Sequence, residues 1–563
     1  MKAVLRNLAS FLIILVALSS AQPVRSTAPA NPALEPILKY ISNGWDTLTR
    51  SMTSCDSVAD PKLRTKPVLY LPANLPVPSS VEKMETNCGV TVKTLPQKIT
   101  GPGQIDVSKI DPPGLLYLEN PYVVPGGRFN EMYGWDSYFI LVGLLRANRV
   151  DLARGMVNNF LFEIENYGTI LNANRTYYLT RSQPPFLTSM VLDVYEADKA
   201  AGKQDKTWLE KAYRLADKDY QMWVHEPHLA GNTGLSRYYD FGNGPTPESL
   251  SDESGYYRKV AAYFLLHPAA SDHYVVESKD DTTPPDGPGL TYIMQMCDAA
   301  TTMTHPECEA IKTVRLSAEY YKADRSMRES GFDPSFRLGP YSAATHHYAP
   351  VCLNSLLYKT ESDLAKIAEF LGRTADAAKW RERSARRAAI MRKLMWDPQR
   401  GLFFDYNFET GKRSTYVFAA TFYPLWAGLA TKQEAQAEVA HLRELERPGG
   451  IAMSTQETGV QWDLPYGWAP VQLLAIKGLR RYGFNAAADR VSLAFLSTVL
   501  ENFQRDGTIR EKYNVITRSS ETKVQAGYTA NVVGFGWTNA AFLELLHDLP
   551  PQEAAKLGTA VGK

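Results

Sequence analysis

The sequence predicts an all-α protein assembled from helical hairpins, and three observations predict it. Apolar residues recur at three- and four-residue steps over 207–224, the spacing of one buried helix face. The same spacing runs through 360–396, where Gly372 and Thr374 mark a break between two helices. It returns over 470–482 and 486–503, parted by Gly483 where a C-cap glycine belongs. Between these pairs lie loops rich in aromatic residues, glycine and proline, at 239–255, 332–341 and 461–470. Paired helices with such loops suggest a toroid of two concentric helical rings with a site at one end. Periodicity by itself fits other all-α arrays equally. No fixed repeat marks a solenoid.

Composition permits one large domain. The chain has 563 residues, 44% hydrophobic and 21% charged, enough to bury a sizeable core. A formal charge of +1 gives no field that would draw in nucleic acid or an acidic membrane. A small neutral ligand suits this balance, and a monomer is expected.

The N-terminus reads as a targeting segment. Lys2 and Arg6 precede an apolar run from Leu8 to Leu18, shorter than the roughly 20 residues of a membrane span. Ser19 and Ala21 place small residues at the −3 and −1 positions of a cleavage site. The expectation is a signal peptide over 1–21, hence an exported protein, periplasmic or extracellular. A membrane anchor is the alternative. Residues 22–35 read as a flexible arm, 36–550 as one catalytic domain and 551–563 as a tail. No later segment is apolar enough to span a bilayer.

Export permits disulfides. Cys297 with Cys308 is the preferred pair and Cys55 with Cys88 the second, leaving Cys352 over; all five reduced is the alternative. No HExxH pattern or zinc-ligand spacing occurs. His346 and His347 are adjacent and on a helix would face apart, so no metal is expected.

Tyrosine and tryptophan are plentiful, at 31 and 10. Sugar-binding clefts use such rings against C–H faces, with polar groups for the hydroxyls, although single rings equally fill cores. Cleaving a glycosidic bond needs two carboxyl groups, one to protonate the leaving oxygen and one to activate water or attack. Loop segments carrying carboxylates among Arg, Asn and Trp lie at 128–136, 172–183, 329–337, 461–468 and 510–514.

These segments resemble the trehalase family. PGGRFNEMYGWDSYF (125–139) is similar to its first signature and QWDLPYGWAP (461–470) to its second. ILNANRTYYLTRSQPP (170–185), ESGFDPSF (329–336), REKYNV (510–515) and GFGWTN (534–539) resemble further motifs, in the family's order. The resemblance implies a six-hairpin (α/α)6 toroid that hydrolyses α,α-trehalose with inversion and needs no cofactor. It implies Asp333 as general acid and Glu511 as general base. A turn role for Asp333 beside Gly331 and Pro334, and a surface position for Glu511, are the plain alternatives. By the same resemblance Arg128, Trp135, Asp136, Asn172, Arg181, Ser182, Gln183, Glu248 and Gly331 hold sugar, while Gln461, Trp462 and Asp463 line or brace the pocket. Arg128 with Asp136 as a structural ion pair is the competing reading.

The chain departs from the family pattern in three places. PTPES (245–249) carries Thr246 where the family has arginine; Arg258 is a candidate replacement. The loop 516–533 is not glycine-rich and has Gly527 where the family has glutamate, so closure over the sugar is expected to differ, with Glu521 a remote substitute. Cys352 replaces an acidic residue in APVCLN (349–354). These changes leave open hydrolysis of a related α-glucosyl disaccharide, or a weakly catalytic sugar-binding protein.

Overall fold

A computed structural model describes residues 31–558 except 60–65, 252–254, 271–272, 278–291, 298–310 and 528–529. Six helices close an inner ring. They are α2 (Gly134–Arg146), α4 (Leu187–Ala200), α8 (Val351–Phe370), α10 (Tyr423–Ala427), α12 (Ala469–Arg481) and α14 (Gly536–Asp548), each packed on the next and the last on the first. An inner helix has neighbours on both sides, so its sequence must be apolar nearly all round. Every residue from Gly134 to Leu141 is buried accordingly.

The outer helices show the amphipathic spacing read from the sequence. α3 (Val150–Asn166), α5 (Lys206–Trp223), α9 (Thr374–Leu394) and α13 (Asn485–Asp506) each pack on the inner helix before them. In α5 the buried positions Trp208, Leu209, Ala212, Tyr213, Leu215, Ala216, Tyr220 and Trp223 form one stripe. Gly483, at φ +83°, breaks α12 from α13. α11 (Lys432–His441) follows α10 and opens with a capping box between Thr431 and Glu434. The partner of α14 comes from the other end of the chain, as α1 (Glu35–Thr47) packs on it. The molecule is an all-α toroid of six hairpins.

Short strands decorate this frame, and sequence periodicity gave no warning of them. A parallel sheet of order β2-β1-β3 joins β1 (Val68–Leu71), β2 (Thr91–Thr94) and β3 (Leu115–Leu116). An antiparallel sheet of order β4-β6-β5 joins β4 (Val275–Glu277), β5 (Ile293–Cys297) and β6 (Ile311–Leu316). With α6 (Tyr256–Leu266) and α7 (Ala318–Ser330), that sheet encloses a second apolar core around Tyr256, Phe264, Met294, Val314 and Tyr320.

The termini and the cysteines fill out the picture. The arm expected over 22–35 is ordered from Asn31, whose side-chain amide donates to the Leu557 carbonyl at 2.7 Å. The expected tail is packed as far as residue 558, with Leu557 buried. The signal peptide at 1–21 lies outside the described residues. Cys55 and Cys88 form a disulfide. Of the preferred pair, Cys308 lies outside the described residues, as does the side chain of Cys297. Cys352 is a buried free thiol, 3.4 Å from Arg337 Nη1. Among the described residues, no helix is long and apolar enough to cross a membrane.

Candidate active site

One end of the toroid carries a cleft. Its walls include Arg128, Trp135, Asp136, Asn172, Arg181, Gln183, Glu248, Gly331, Asp333, Trp462 and Glu511. With Trp537 they bring seven separate chain segments together.

The first segment runs into the N-terminus of α2. The Trp135 backbone N–H donates to Gln183 Oε1 at 2.9 Å, tying this turn to the second wall segment. The Trp135 ring packs among Phe332, Trp462 and Trp537, with centroids 5.4–6.0 Å apart. Behind it, Trp462 stacks on Trp468 at 3.9 Å. Gly331 touches the same ring: a Cβ there would sit 2.8 Å from two Trp135 atoms. Its φ of +77°, at the C-cap of α7, also favours glycine.

Asp136 is buried, and burial followed by the charges of Glu511 and Asp333 pushes its carboxyl well above the usual range. A neutral Asp136 can donate a hydrogen bond to a ligand hydroxyl.

Arg181 is the anchor of the opposite wall. Its Nη2 donates to Asn172 Oδ1 at 3.2 Å and also pairs with Glu248. Arg181 and Arg328 together hold the Glu248 carboxyl below its ordinary value despite burial.

Asp333 follows α7, and its carboxylate lies 3.8 Å from Arg328 Nη1 with its side chain 30% exposed. Glu511 enters from the strand pair β7 (Tyr466–Trp468) and β8 (Lys512–Asn514), in which Trp468 faces Lys512. Lys512 is fully buried; its Nζ lies 3.1 Å from Glu511 Oε2 and donates to Gln461 Oε1 at 3.2 Å. Gln461 in turn donates to the Asp333 backbone carbonyl. A continuous chain of contacts thus fixes Asp333 and Glu511 relative to each other. Burial, opposed by the Glu511 charge, lowers the Lys512 ammonium below its usual range.

Three of the expected residues stand behind the wall. Ser182 donates its hydroxyl to the Ile170 carbonyl at 2.6 Å, and its N–H to Glu329 at 3.3 Å. Gln461 braces as described. Asp463 accepts from the Phe336 N–H at 2.8 Å and from Thr458 at 2.7 Å. Residues not anticipated by the sequence reading also line the cleft, notably Glu131, Tyr133, Tyr178, Arg328 and Trp537. All but Arg328 lie inside quoted motifs. Arg328 adjoins one, and an arginine one turn before a glycine C-cap was the available signal.

The departures resolve structurally. Thr246 is buried with its hydroxyl 2.6 Å from Ser249 and 3.2 Å from Tyr257, whose own hydroxyl donates to Asp324. Arg258 does not fill the gap, since its Nη1 donates to the Gln295 carbonyl at 2.6 Å. Arg328 reaches the cleft instead. The loop after Glu511 lies down on the second signature: Gln525 N–H donates to the Gly459 carbonyl at 2.8 Å, and a Cβ at Gly527 would meet Gln461 at 3.0 Å. Glu521 lines a different depression, with Glu457 and Lys523.

The model of the trehalase family matches residues 90–550. A probable trehalase of Eremothecium gossypii is 37% identical over 89% of this chain and 70% of its own length. The cytosolic neutral trehalase of Saccharomyces cerevisiae is 36% identical over 92% and 72%. The solved neutral trehalase Nth1 from the same yeast superposes with a TM-score of 0.73 at 33% identity, covering 93% of this chain and 96% of that one. The chain belongs to the trehalase family and is a glycoside hydrolase. These relatives also correct the expectation of export, since those named by compartment, from Saccharomyces cerevisiae and Neurospora crassa, are cytosolic enzymes.

Proposed function

We propose that this chain hydrolyses α,α-trehalose to two glucose molecules with inversion, Asp333 acting as general acid and Glu511 as general base. The observation that carries the reading is the meeting of these two carboxylates in one cleft with Arg128, Asp136, Arg181, Glu248 and Arg328. Asp333 gives its proton to the bridging oxygen as the C1–O bond breaks. Glu511 takes a proton from a water that attacks C1 from the opposite face, so one product leaves as the β anomer and the other as α. That route requires about 6.5–9.5 Å between the two carboxyl groups. Arg forks and carboxylates pair with adjacent hydroxyls, and Arg328 supplies the cation missing at Thr246.

The test is glucose release from trehalose, sucrose, maltose and kojibiose, with product anomers followed by NMR. Asp333→Asn and Glu511→Gln should each lose nearly all turnover with the fold intact. Release from another disaccharide but not from trehalose overturns the substrate, equal anomers of one configuration overturn inversion, and calorimetric sugar binding without turnover overturns catalysis.

A further inference from the structure

Away from the cleft, three ligand-type side chains converge. Glu319 stands in the first turn of α7, and His346 and His347 occupy the short 3-10 turn Thr345–His347. On a regular helix adjacent histidines would diverge. Here the tight turn lays the rings 4.1 Å apart, tilted by 47°, and both reach the same carboxylate. His346 Nε2 lies 2.9 Å and His347 Nε2 3.0 Å from Glu319 Oε1. All three atoms fall within 4.8 Å of one another.

We propose that Glu319, His346 and His347 form a binding site for a divalent transition metal of the zinc class. Two imidazole nitrogens and one carboxylate oxygen are the donor set such ions take, with bonds of about 2.0–2.2 Å. Around a tetrahedral ion those bonds space the donors about 3.3 Å apart, so the two histidine–glutamate separations of 2.9 and 3.0 Å need to open by only a few tenths of an ångström. The His346 ring is buried and meets the carboxylate through Nε2. Its other nitrogen, Nδ1, is buried with no hydrogen-bond partner among the described residues, so the ring's polar contact is committed to Glu319. The turn itself is pinned, since the His346 carbonyl accepts from Arg237 Nη1 at 2.9 Å. Glu319 and His347 are 40% and 29% exposed, giving an ion entry from solvent and a remaining position for water. Magnesium and calcium, which take six or more oxygen ligands, do not suit this set.

Such an ion would clamp the first turn of α7 to the 345–347 turn. The chain between those points carries Gly331 and Asp333, so the clamp closes a loop that ends on the cleft. The function is that of a staple, independent of which sugar the cleft accepts.

The test is calorimetric titration of the untagged full chain with zinc chloride, paired with visible absorption of the cobalt(II) form and thermal unfolding. Wild-type protein should bind one equivalent, show the absorption of a histidine-bound cobalt ion and melt at a higher temperature with zinc. Glu319→Gln and His347→Gln should each weaken binding by about tenfold or more and abolish the thermal shift. His225→Gln, on an exposed histidine bonded to the Gln221 carbonyl, should bind as wild type. Circular dichroism of both variants checks their fold. No saturable uptake by wild-type protein, or uptake by both variants as tight as that of wild type, overturns the assignment.

Discussion

Replacing Gly331 by alanine probes the packing beneath the cleft. The new Cβ would lie 2.8 Å from Cε2 and Cζ2 of Trp135, closer than real Cβ contacts allow. The ring has little room to retreat, because Phe139, Phe332, Trp462 and Trp537 enclose it. Forcing a methyl group into such packing costs about 1–3 kcal/mol. The backbone adds its own term, as φ is +77° and an L-residue there costs about 1–2 kcal/mol. The expected loss is therefore about 2–5 kcal/mol. Gly483→Ala separates the two terms, since it shares a positive φ of +83° but its Cβ would meet nothing within 4 Å. Urea unfolding of both variants, with kcat/KM on trehalose, is the assay. Gly331→Ala should be the less stable by about 1–3 kcal/mol and should alone lose turnover. Equal unfolding midpoints, with Gly331→Ala fully active, would refute the claim that glycine is needed for the Trp135 contact.

Asp136 gives a pH-dependent result. A carboxyl raised in the folded state contributes stability below its ordinary value of 3.8, and that contribution is lost as pH rises toward the folded value. Asp136→Asn removes the penalty, so it should raise the melting temperature more at pH 8 than at pH 5 while lowering sugar affinity; an unchanged melting temperature at both counts against it. Lys512→Met leaves Glu511 buried without its cation and should cost about 3–5 kcal/mol along with most turnover, read by urea unfolding and glucose release. Arg328→Ala should lower kcat/KM by roughly 10- to 150-fold, the worth of one charged hydrogen bond, and Arg328→Lys should recover little because a point charge does not reproduce the fork. Wild-type kinetics in Arg328→Ala would show that the cation at Thr246 is not needed.

Helix spacing was legible because it is local. The breaks at Gly372 and Gly483 fall where α8 gives way to α9 and α12 to α13. Ring closure was not legible, because the contact between α2 and α14 joins residues some four hundred positions apart and leaves no periodic trace. At the cleft, Arg128, Asp136, Arg181, Asp333 and Glu511, singled out by residue type and motif, lie on the wall. The same motifs could not tell a lining residue from a bracing one. Gln461 and Trp462 are neighbours in sequence, yet one faces the cleft and the other holds Lys512 from behind. Arg328 lines the cleft and Arg258 does not, because α6 turns Arg258 toward the β4-β6-β5 sheet, a tertiary fact with no local signature. The histidine pair was discounted on helical geometry that a 3-10 turn does not follow.

The seating of α1 on α14 has a consequence for how the molecule is made. The sixth hairpin is split between the two ends of the chain, and Asn31 is hydrogen-bonded to Leu557 across that seam. A ribosome delivers the first half of this hairpin before anything else in the fold and the second half after nearly everything else. The annulus therefore stays an open horseshoe, with the inner face of its last wall uncovered, until α14 has emerged. Asn31 and Leu557 stand side by side at that seam, so a short linker between them, with the chain opened at Gly372, should yield a rearranged chain that closes the same ring.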